Sequence, residues 1–223
     1  MPRPRSDIDL RIVHAARAAF LAEGVDGASL RAIAKGAKTS VGMVSYYFPT
    51  KDDLFLAVVE EIYAALLREL DAVLAQPLSL AKRLEKVSVR IGRMTDHELD
   101  VVRIVVREAL LSQQRLRRVF ERFKRGHIPM LVGALGAAIA AGEIDDSIPI
   151  PVLIGATFGA IGIPQVMLRA VGSELPFPVP TPEATAAAAT RILFRGARKR
   201  RRRGDHSRPR KPRRISEPPS HQR

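Results

Sequence analysis

The sequence predicts an all-α protein, in which an N-terminal domain of three helices is joined by one long helix to a larger C-terminal helical domain. Apolar residues recur with helical spacing along most of the chain, and prolines, glycines and capping residues separate these segments. No segment alternates apolar and polar residues as a half-buried strand does. The 223 residues, 46% of them hydrophobic, are enough to bury a sizeable core.

Three short helices are predicted first. The first begins at Asp7 or Asp9, carries apolar residues in helical phase and ends at Gly24, since glycine favours helix ends. Ser29 caps the second. The third runs from about residue 40 to 48 and ends before Pro49, because the residue before a proline is pushed out of the helical conformation.

A fourth helix begins at Thr50, which with Asp53 forms a capping box in which aspartate replaces the usual glutamate. This helix has the clearest periodicity in the chain, and Pro77 closes it. Its apolar stripe comprises Leu54, Phe55, Val58, Val59, Ile62, Tyr63, Leu66, Leu67, Leu70 and Leu74.

The C-terminal domain is predicted to continue with helices at 79–94, 97–112 and 114–141, the last bent at Pro129. A Gly/Ala-rich apolar helix at 149–172 and a proline-rich connector precede a final helix at 183–196. The 149–172 segment is long enough to suggest a membrane span, but its prolines and small residues favour a buried helix. The predicted division is 1–50, 51–196 and a tail, 197–223.

Most of the positive charge lies in that tail. The chain carries a formal net charge of +14, and the 12 basic and 2 acidic residues of 197–223 contribute +10 of it. This charge run predicts a disordered segment, which either contacts phosphates without sequence preference or touches nothing. The chain has no cysteine, which excludes disulfides and thiolate zinc sites and fits a cytoplasmic protein.

Three short helices with a tight turn between the second and third have the layout of a helix-turn-helix domain. Residues 29–55, SLRAIAKGAKTSVGMVSYYFPTKDDLF, resemble the TetR/AcrR family of bacterial transcriptional regulators, and AAFLAEGVDGAS extends the similarity back to about Arg11. The family pattern of an aromatic-Phe pair, a turn, a lysine, acidic residues and Leu-Phe is met by Tyr47, Phe48, Lys51, Asp52, Asp53, Leu54 and Phe55.

The resemblance implies a homodimeric, sequence-specific DNA-binding regulator, a repressor on an inverted-repeat operator that responds to a small apolar or amphipathic effector. It implies a C-terminal domain for effector binding and dimerisation, with no enzymatic activity, cofactor or membrane partner. The predicted DNA contacts are Ser29, Arg31, Lys38, Thr39, Ser40, Val41, Gly42, Met43, Ser45, Tyr46, Tyr47 and Lys51.

Two positions depart from the family pattern. Lys38 and Thr39 stand where Gly-Val is common; a left-handed backbone conformation at Lys38 would cost about 1 kcal/mol, and a cation at this position could instead meet a phosphate. Ser45 stands where tyrosine is frequent, which should alter the choice of operator.

Several of these assignments have a structural alternative. Tyr47 either contacts a phosphate or braces the turn as a half-buried side chain. Lys51 either contacts a phosphate or is a solvated lysine at a helix end. Val41 and Met43 either meet thymine methyl groups or pack against the second helix.

Glu108 falls on the apolar side of its predicted helix, with Arg103 and Arg107 nearby. A carboxylate in apolar surroundings must be paired or protonated. It is therefore either a polar anchor in a ligand pocket, together with the two arginines, or one member of an interhelical Glu-Arg pair.

The small residues Gly155, Ala156, Gly159, Ala160 and Gly162 permit close helix approach, in a dimer or within one chain. The five histidines lack metal-ligand spacing, so no metal site is predicted. Two rival functions remain: nonspecific nucleic-acid or other interaction through the basic tail, and an all-helical enzyme, for which no catalytic constellation is present.

Overall fold

The computed structural model describes residues 7–197, and these contain helices and no strand, which confirms the all-α prediction. A π-helical turn, Phe158–Gly162, joins α9 to α10, and a short 3₁₀ turn, Gly172–Glu174, follows α10. The α-helices are α1 Asp7–Gly27, α2 Leu30–Gly36, α3 Val41–Tyr47, α4 Lys51–Leu74, α5 Leu80–Gly92, α6 Asp96–Leu111, α7 Gln113–Lys124, α8 His127–Ala140, α9 Ile150–Thr157, α10 Ile163–Val171 and α11 Pro182–Ala197.

The capping residues define the short helices as the sequence predicts. Ser29 accepts a hydrogen bond from the Ala32 amide, and Ser40 accepts one from the Met43 amide. Gly24 has a φ of 79° and interrupts α1, so the chain re-enters the helix for one further turn before α2. This conformation is easily available only to glycine.

The turn between α2 and α3 closes on a left-handed lysine. Lys38 has a φ of 52°, and its amide donates to the Lys35 carbonyl while the Thr39 amide donates to the Ala34 carbonyl. This pair of bonds is a Schellman motif, in which the left-handed position usually holds glycine. The turn therefore fixes the angle between α2 and α3, and it places the Lys38 cation on the surface.

One apolar core extends from the N-terminal helices into the C-terminal ones. Phe20 of α1 and Phe55 of α4 are fully buried in it, and α6 and α7 add Ile104 and Val119. The predicted capping box of Thr50 and Asp53 begins α4. Because α4 and α6 pack against α1, the N-terminal domain rests directly on the C-terminal helices.

A second core lies at the other end of the molecule, between α5, α8 and the helices from α9 onward. Leu80 and Leu84 of α5 pack there with Leu135 of α8 and Ile161 of the π-helical turn. Ser88 donates to the Ile161 carbonyl at 2.8 Å, and Gln165 donates to the Ser88 hydroxyl at 3.1 Å. These bonds anchor the irregular turn against α5.

The predicted bend at Pro129 is wrong by three residues, because the helix breaks at Gly126 and resumes at His127. A Cβ at position 126 would lie 2.2 Å from Tyr63 Oη, so only glycine admits the tyrosine hydroxyl there. Pro129 lies in the first turn of α8, where a missing amide hydrogen costs nothing.

The expectation of one buried helix at 149–172 is also wrong for the single chain, since the segment is divided by the π-helical turn and most of its apolar side is exposed. By length and composition alone, Ile150–Glu174 could cross a membrane, and 22% of its most apolar window lies buried. Core helices of soluble proteins pass the same test, so one such helix is weak evidence for a span. The predicted disordered tail lies outside the described residues, apart from Ala197 at the end of α11.

The Tyr63–His127 pair predicts a pH-dependent stability. The His127 amide donates to Tyr63 Oη, which in turn lies 2.7 Å from His127 Nδ1, so the hydroxyl donates to a neutral imidazole. Burial, with a smaller effect of the Arg122 charge, lowers the pKa of His127 from 6.5 to about 4.

The unfolded chain therefore binds a proton in this range that the folded chain excludes, and stability should fall as the pH drops from 6.5 toward 4, by at most about 1.4 kcal/mol per pH unit. Urea unfolding of the native protein and of His127→Gln measures this. The variant should lose less stability across the range, and equal losses in the two proteins would contradict the assignment.

Candidate nucleic-acid interface

The helix-turn-helix presents its predicted contact residues to solvent. None of the twelve is buried. Thr39, Met43, Tyr47 and Lys51 are half-buried, and the other eight are exposed. The fold thus brings α2, the turn, α3 and the first residue of α4 into one accessible surface.

Helix α3 has one buried side and one exposed side. Val44 is fully buried and fixes the helix on α1 and α2. Gly42 and Ser45 are exposed, and Tyr46 is 63% exposed. Because of this division, the outer side of α3 is accessible to a DNA groove.

The environments of Tyr47, Met43 and Val41 differ in the structure, and these are residues for which the sequence left two roles open. Tyr47 is half-buried, packs against the N-terminal core and meets the Tyr46 ring edge-on at 5.3 Å, so it does brace the turn. Met43 is half-buried, whereas Val41 is 37% exposed. The contact roles proposed for these side chains stay predictions.

The electrostatics of this surface favour an anion. Residues 27–50 contain no aspartate or glutamate, and Arg31, Lys35 and Lys38 are all exposed. Lys35 was not among the residues singled out from the sequence. Its position one helical turn after Arg31, on the same side of α2, is the signal that identifies it.

Lys51 is held in place at the start of α4. Its ammonium donates to the Asp26 carbonyl at 2.8 Å, so it is not simply a solvated lysine. An ammonium has three donors, and this bond uses one of them. The other two stay available to an anion, and Lys51 is the first residue of α4, whose N-terminus also favours an anion.

Arg115 joins this surface to the C-terminal helices, and its side chain is only 8% exposed. It donates to Glu108 Oε2 of α6 at 2.7 Å, to Asp52 of α4 at 2.9 Å and to Asp26 of α1 at 3.0 Å. One guanidinium therefore binds carboxylates from three helices. We call these four residues the Arg115 cluster.

These hydrogen bonds shift the pKa values of two members of the cluster, Asp26 and Arg115. The hydrogen bond from Arg115, assisted by the charges of Arg115 and Lys51, lowers the pKa of Asp26. The same bond with Asp26 is the main reason that the pKa of Arg115 is raised, and the bonds with Asp52 and Glu108 add to it. Asp26 and Arg115 are therefore both charged near neutral pH.

The structure brings Arg107 and Glu108 together, with Arg107 Nε 3.5 Å from Glu108 Oε1, whereas Arg103 pairs elsewhere. Glu108 is 2% exposed, and its Oε1 accepts the Val25 amide of α1 at 3.1 Å, so the interhelical Glu-Arg pair is present, with Arg115 as its main cation. Arg107 donates to the Phe20 and Leu21 carbonyls near the end of α1. Arg103 is 47% exposed and pairs with Asp100. The ligand-binding role of Glu108, Arg103 and Arg107 stays a prediction.

Sequence reasoning missed Arg115 because its partners lie as far as 89 positions away. A local signal was nevertheless available. Arg115 precedes Val119 by four residues and therefore shares the buried side of α7, whereas Arg117 does not.

Two histidines, from α1 and α6, also approach a carboxylate of α4. His14 of α1 and His97 of α6 both approach Glu61 Oε1 of α4, at 2.8 and 3.4 Å. Arg17 Nη1 lies 2.8 Å from His97 Nε2. Within residues 7–197, no group of three histidine or carboxylate side chains could hold a metal ion.

The comparisons with known proteins agree with this geometry. Residues 12–58 match the family described as bacterial regulatory proteins of the tetR family, which confirms the resemblance predicted from the sequence. A comparison with curated proteins finds no match.

Solved structures share the whole fold. B. subtilis FadR in complex with stearoyl-CoA is 18% identical, with a TM-score of 0.69 over 84% of this chain and 98% of that one. A Mesorhizobium loti protein described as a TetR-family transcriptional regulator is 24% identical, with a TM-score of 0.62 over 86% and 97%. The ketosteroid regulator KstR2 of Mycobacterium tuberculosis is 19% identical, with a TM-score of 0.61 over 86% and 95%.

Removing the arginine at the centre of the cluster should destabilise the protein strongly. Arg115→Met leaves the buried Glu108 without its main cation, and breaking a buried pair in this way costs about 3 kcal/mol. Urea unfolding measures the loss, and Glu108→Gln in the same background should recover part of it.

The matched control is Arg118→Met, one turn along α7. Arg118 is 36% exposed and pairs with Asp53 at 3.3 Å, so its loss should cost less than about 1 kcal/mol. Equal losses at the two positions would mean that Arg115 has no special structural role.

Proposed function

The chain has the fold of the TetR-family regulators and carries their N-terminal segment, and from this we propose that it is a sequence-specific, ligand-responsive repressor that binds an inverted-repeat operator as a homodimer. The observation that carries the proposal is the exposed α2–α3 surface, which contains three cations and no acidic residue. It acts in the cytoplasm, where operator DNA and small metabolites are both accessible.

Phosphate and base contacts fall on different parts of that surface. Arg31, Lys35, Lys38 and Lys51 supply the charges that position the duplex. The outer side of α3, with Ser45 and Tyr46, faces the base edges, and Gly42 lets the backbone approach closely. Sequence preference therefore comes from α3, and general affinity from the surrounding cations.

A runner-up function rests on the tail of residues 197–223, whose charge alone could bind nucleic acid without sequence preference. The presence of a fully formed helix-turn-helix favours the operator-binding role. The two functions differ in whether substitutions in α3 change which sequences are bound.

Substitutions on the interface should separate the two kinds of contact. Lys51→Ala should weaken binding to every duplex by a similar factor and reduce the slope of log affinity against log salt by about 1, since one phosphate contact is lost. Ser45→Ala and Tyr46→Ala should instead change the relative affinity for operator variants. Fluorescence anisotropy over a salt series, with a panel of single-base variants, measures both.

The control is Arg68→Ala, an exposed cation on α4 outside the helix-turn-helix. It should leave affinity and preference unchanged. Equal loss at every operator variant for Ser45, Tyr46 and Lys51 alike would leave no base reader in α3.

Dimerisation is proposed through the C-terminal helices. Several large apolar side chains there are exposed in the single chain, which is more than isolated surface residues explain. We call this set the C-terminal apolar face: Ile150, Val152, Phe158, Ile163, Met167, Val171 and Ile192. Covering it with a second copy removes it from water and gives the twofold symmetry that an inverted repeat requires.

Selection of bound duplexes from a random library tests the function as a whole. The enriched sequences should form an inverted repeat, because one short recognition helix reads too few bases for useful selectivity. Sedimentation of the complex should give two chains per site. Enrichment of no sequence, or of a single asymmetric site bound by one chain, would contradict the proposal.

The proposed effector is apolar or amphipathic. A groove of about 280 Å³ lies between α4, α5 and α8 and is lined mainly by apolar and small residues. Arg83 and Asp71 are its charged members, and Arg83 donates to the Leu74 carbonyl at 2.6 Å. FadR, one of the similar structures, holds stearoyl-CoA, which supports a lipophilic class of effector for this chain.

The effector acts on DNA binding through the Arg115 cluster, because Glu108 and Arg115 join the C-terminal helices to both Asp26 and Asp52. A ligand shifts the equilibrium only if it binds the non-operator arrangement more tightly. Movement of α6 or α7 in that arrangement then reaches α1 and α4 directly.

Glu108→Gln should weaken the influence of an effector on operator affinity. A thermal-shift screen of acyl-CoA thioesters and steroids identifies binders, and the operator dissociation constant is then measured with and without the binder. The coupling in the native protein should be about 5- to 150-fold and clearly smaller in the variant. Loss of effector affinity itself would instead support the predicted role of Glu108 as a ligand anchor. Binders that never shift operator affinity would contradict ligand-responsive repression.

A further inference from the structure

Helix α1 is broken three residues before its end by Gly24. This glycine has a φ of 79° and a ψ of 167°, which turns the next peptide unit out of the helix. In an uninterrupted helix the Val25 amide would donate to the Leu21 carbonyl. The break separates these two groups, so each needs a partner from elsewhere in the molecule. We call residues 20–25 the Gly24 break.

Two adjacent residues of α6 supply both partners. Arg107 Nη1 donates to the Leu21 carbonyl at 3.1 Å, and the other terminal nitrogen of Arg107 donates to the Phe20 carbonyl. The Val25 amide donates to Glu108 Oε1 at 3.1 Å. Arg107 Nε lies 3.5 Å from the same carboxylate oxygen, so the two side chains meet over the break as an ion pair. This pair replaces the missing helical hydrogen bond.

The two side chains of this pair differ in what else they bind. Glu108 also accepts from Arg115 and is 2% exposed, so it is fixed independently of the break. The Arg107 side chain is 33% exposed, and within the described part of the chain its hydrogen bonds all go to the two carbonyls of α1. Arg107 is therefore the member of the pair whose hydrogen bonds are confined to the break.

The Gly24 break determines how the chain enters the helix-turn-helix. Val25 and Ala28, in and just after the last turn of α1, are fully buried in the N-terminal core. The carbonyl of Asp26, between them, accepts the Lys51 ammonium at 2.8 Å. Ser29 then caps α2. A change at the break would therefore alter both the direction in which α2 begins and the position of one predicted phosphate contact.

We propose that Arg107 is a positioning residue for operator recognition, which from α6 holds the Gly24 break in the conformation that presents α2 and α3 to DNA. The inference rests on the proposed function, because it assigns a role in DNA binding to a residue outside the predicted DNA contacts. Since Arg107 belongs to α6, a displacement of that helix releases the break and lowers the population of the DNA-binding conformation. The apparent operator affinity falls in proportion to that population.

Arg107→Met tests the assignment in the full chain, first without DNA. Methionine keeps much of the apolar stem and none of the donors, so the break should open more often. In hydrogen exchange followed by mass spectrometry, peptides covering residues 21–29 should exchange at least about tenfold faster, and peptides from α4 should be unchanged. The urea midpoint should change little, because water can take the place of a partly exposed guanidinium.

Operator binding is the second measurement, with the duplex enriched by selection and a random duplex of equal length. Arg107→Met should lose at least about tenfold in operator affinity, which corresponds to a competent fraction of about one tenth. Affinity for the random duplex should stay within about twofold, because the cations that bind phosphates remain. The variant should therefore lose the ratio of specific to nonspecific affinity while it stays folded.

Arg169→Met is the matched control. Arg169 is 32% exposed and also donates to the backbone carbonyl of a distant residue, Met94, but it joins α10 to the α5–α6 connection. Its loss should leave the exchange of residues 21–29 and the operator affinity unchanged. If Arg107→Met were indistinguishable from this control in either measurement, the proposal would be overturned.

Gly24→Ala removes the same conformation by a different route. An L-residue is strained at a φ of 79°, so alanine disfavours the break even though Arg107 is present. Operator affinity should fall as in Arg107→Met, and the double variant should lose no more than the larger single loss, because both changes remove one conformation. Gly27→Ala is the control, since its added Cβ would meet only Glu23 Cβ at 3.5 Å. Additive losses would mean that Arg107 does not act through the break, and would overturn the proposal.

The exchange measurement contains no DNA, so the inference and the proposed function fail separately. Faster exchange at residues 21–29 in a protein that selects no duplex would contradict the proposed function and leave Arg107 as the residue that holds the break. Operator selection together with unchanged exchange and affinity in Arg107→Met would contradict this inference alone.

Discussion

The relation between the helix-turn-helix and the rest of the molecule depends on one guanidinium. Arg115 has three carboxylates from α1, α4 and α6 around it, and the most buried of them, Glu108, also accepts an amide hydrogen of α1. A charge as buried as that of Glu108 requires a cation and further hydrogen bonds, or its desolvation would oppose folding. The helices that supply them are therefore held in the arrangement that brings these partners together. Apolar packing between α1, α4 and α6 brings them together, and the cluster decides how they are oriented.

The same cluster shapes the charge of the DNA-facing surface. The segment without acidic residues is bounded by Asp26 on one side and by Asp52 and Asp53 on the other. Each of these carboxylates is paired with an arginine of α7, Arg115 or Arg118. The arginines therefore offset the negative charges of these carboxylates at close range. The electrostatic potential at the α2–α3 surface is then set mainly by the cations of α2 and the turn.

The fold was predictable from the sequence wherever its cause is local. The caps at Ser29, Ser40 and Thr50 act on amides three residues away, and the left-handed Lys38 stands where the family pattern has glycine. The break at Gly126 was assigned to Pro129 instead, because its cause is a tyrosine 63 positions earlier in the chain. Local sequence cannot supply that neighbour.

The same distinction between local and distant causes applies to the candidate site. The exposed surface of α2 and α3 could be assigned from a short segment, since its residues are neighbours in the chain. The role of Glu108 could only be narrowed to two alternatives, because its partners Val25 and Arg115 come from different helices. The exposed side of 149–172 was expected to be buried, and apolar periodicity alone does not say whether the covering surface belongs to the same chain or to another copy.

These constraints also bear on how a ligand could act from a distance. Couplings between effector and operator sites amount to roughly 1–3 kcal/mol, and a hydrogen bond to a charged group contributes about 1.5–3 kcal/mol. The loss or exchange of one bond at Arg115 is therefore of the right size to carry the whole signal. Asp26 and Asp52 stand at the end of α1 and the beginning of α4, on either side of the segment that carries α2 and α3, so a change in these bonds would act directly on both ends of that segment. The caps of α2 and α3, Ser29 and Ser40, bond to amides of their own helices and do not involve the cluster.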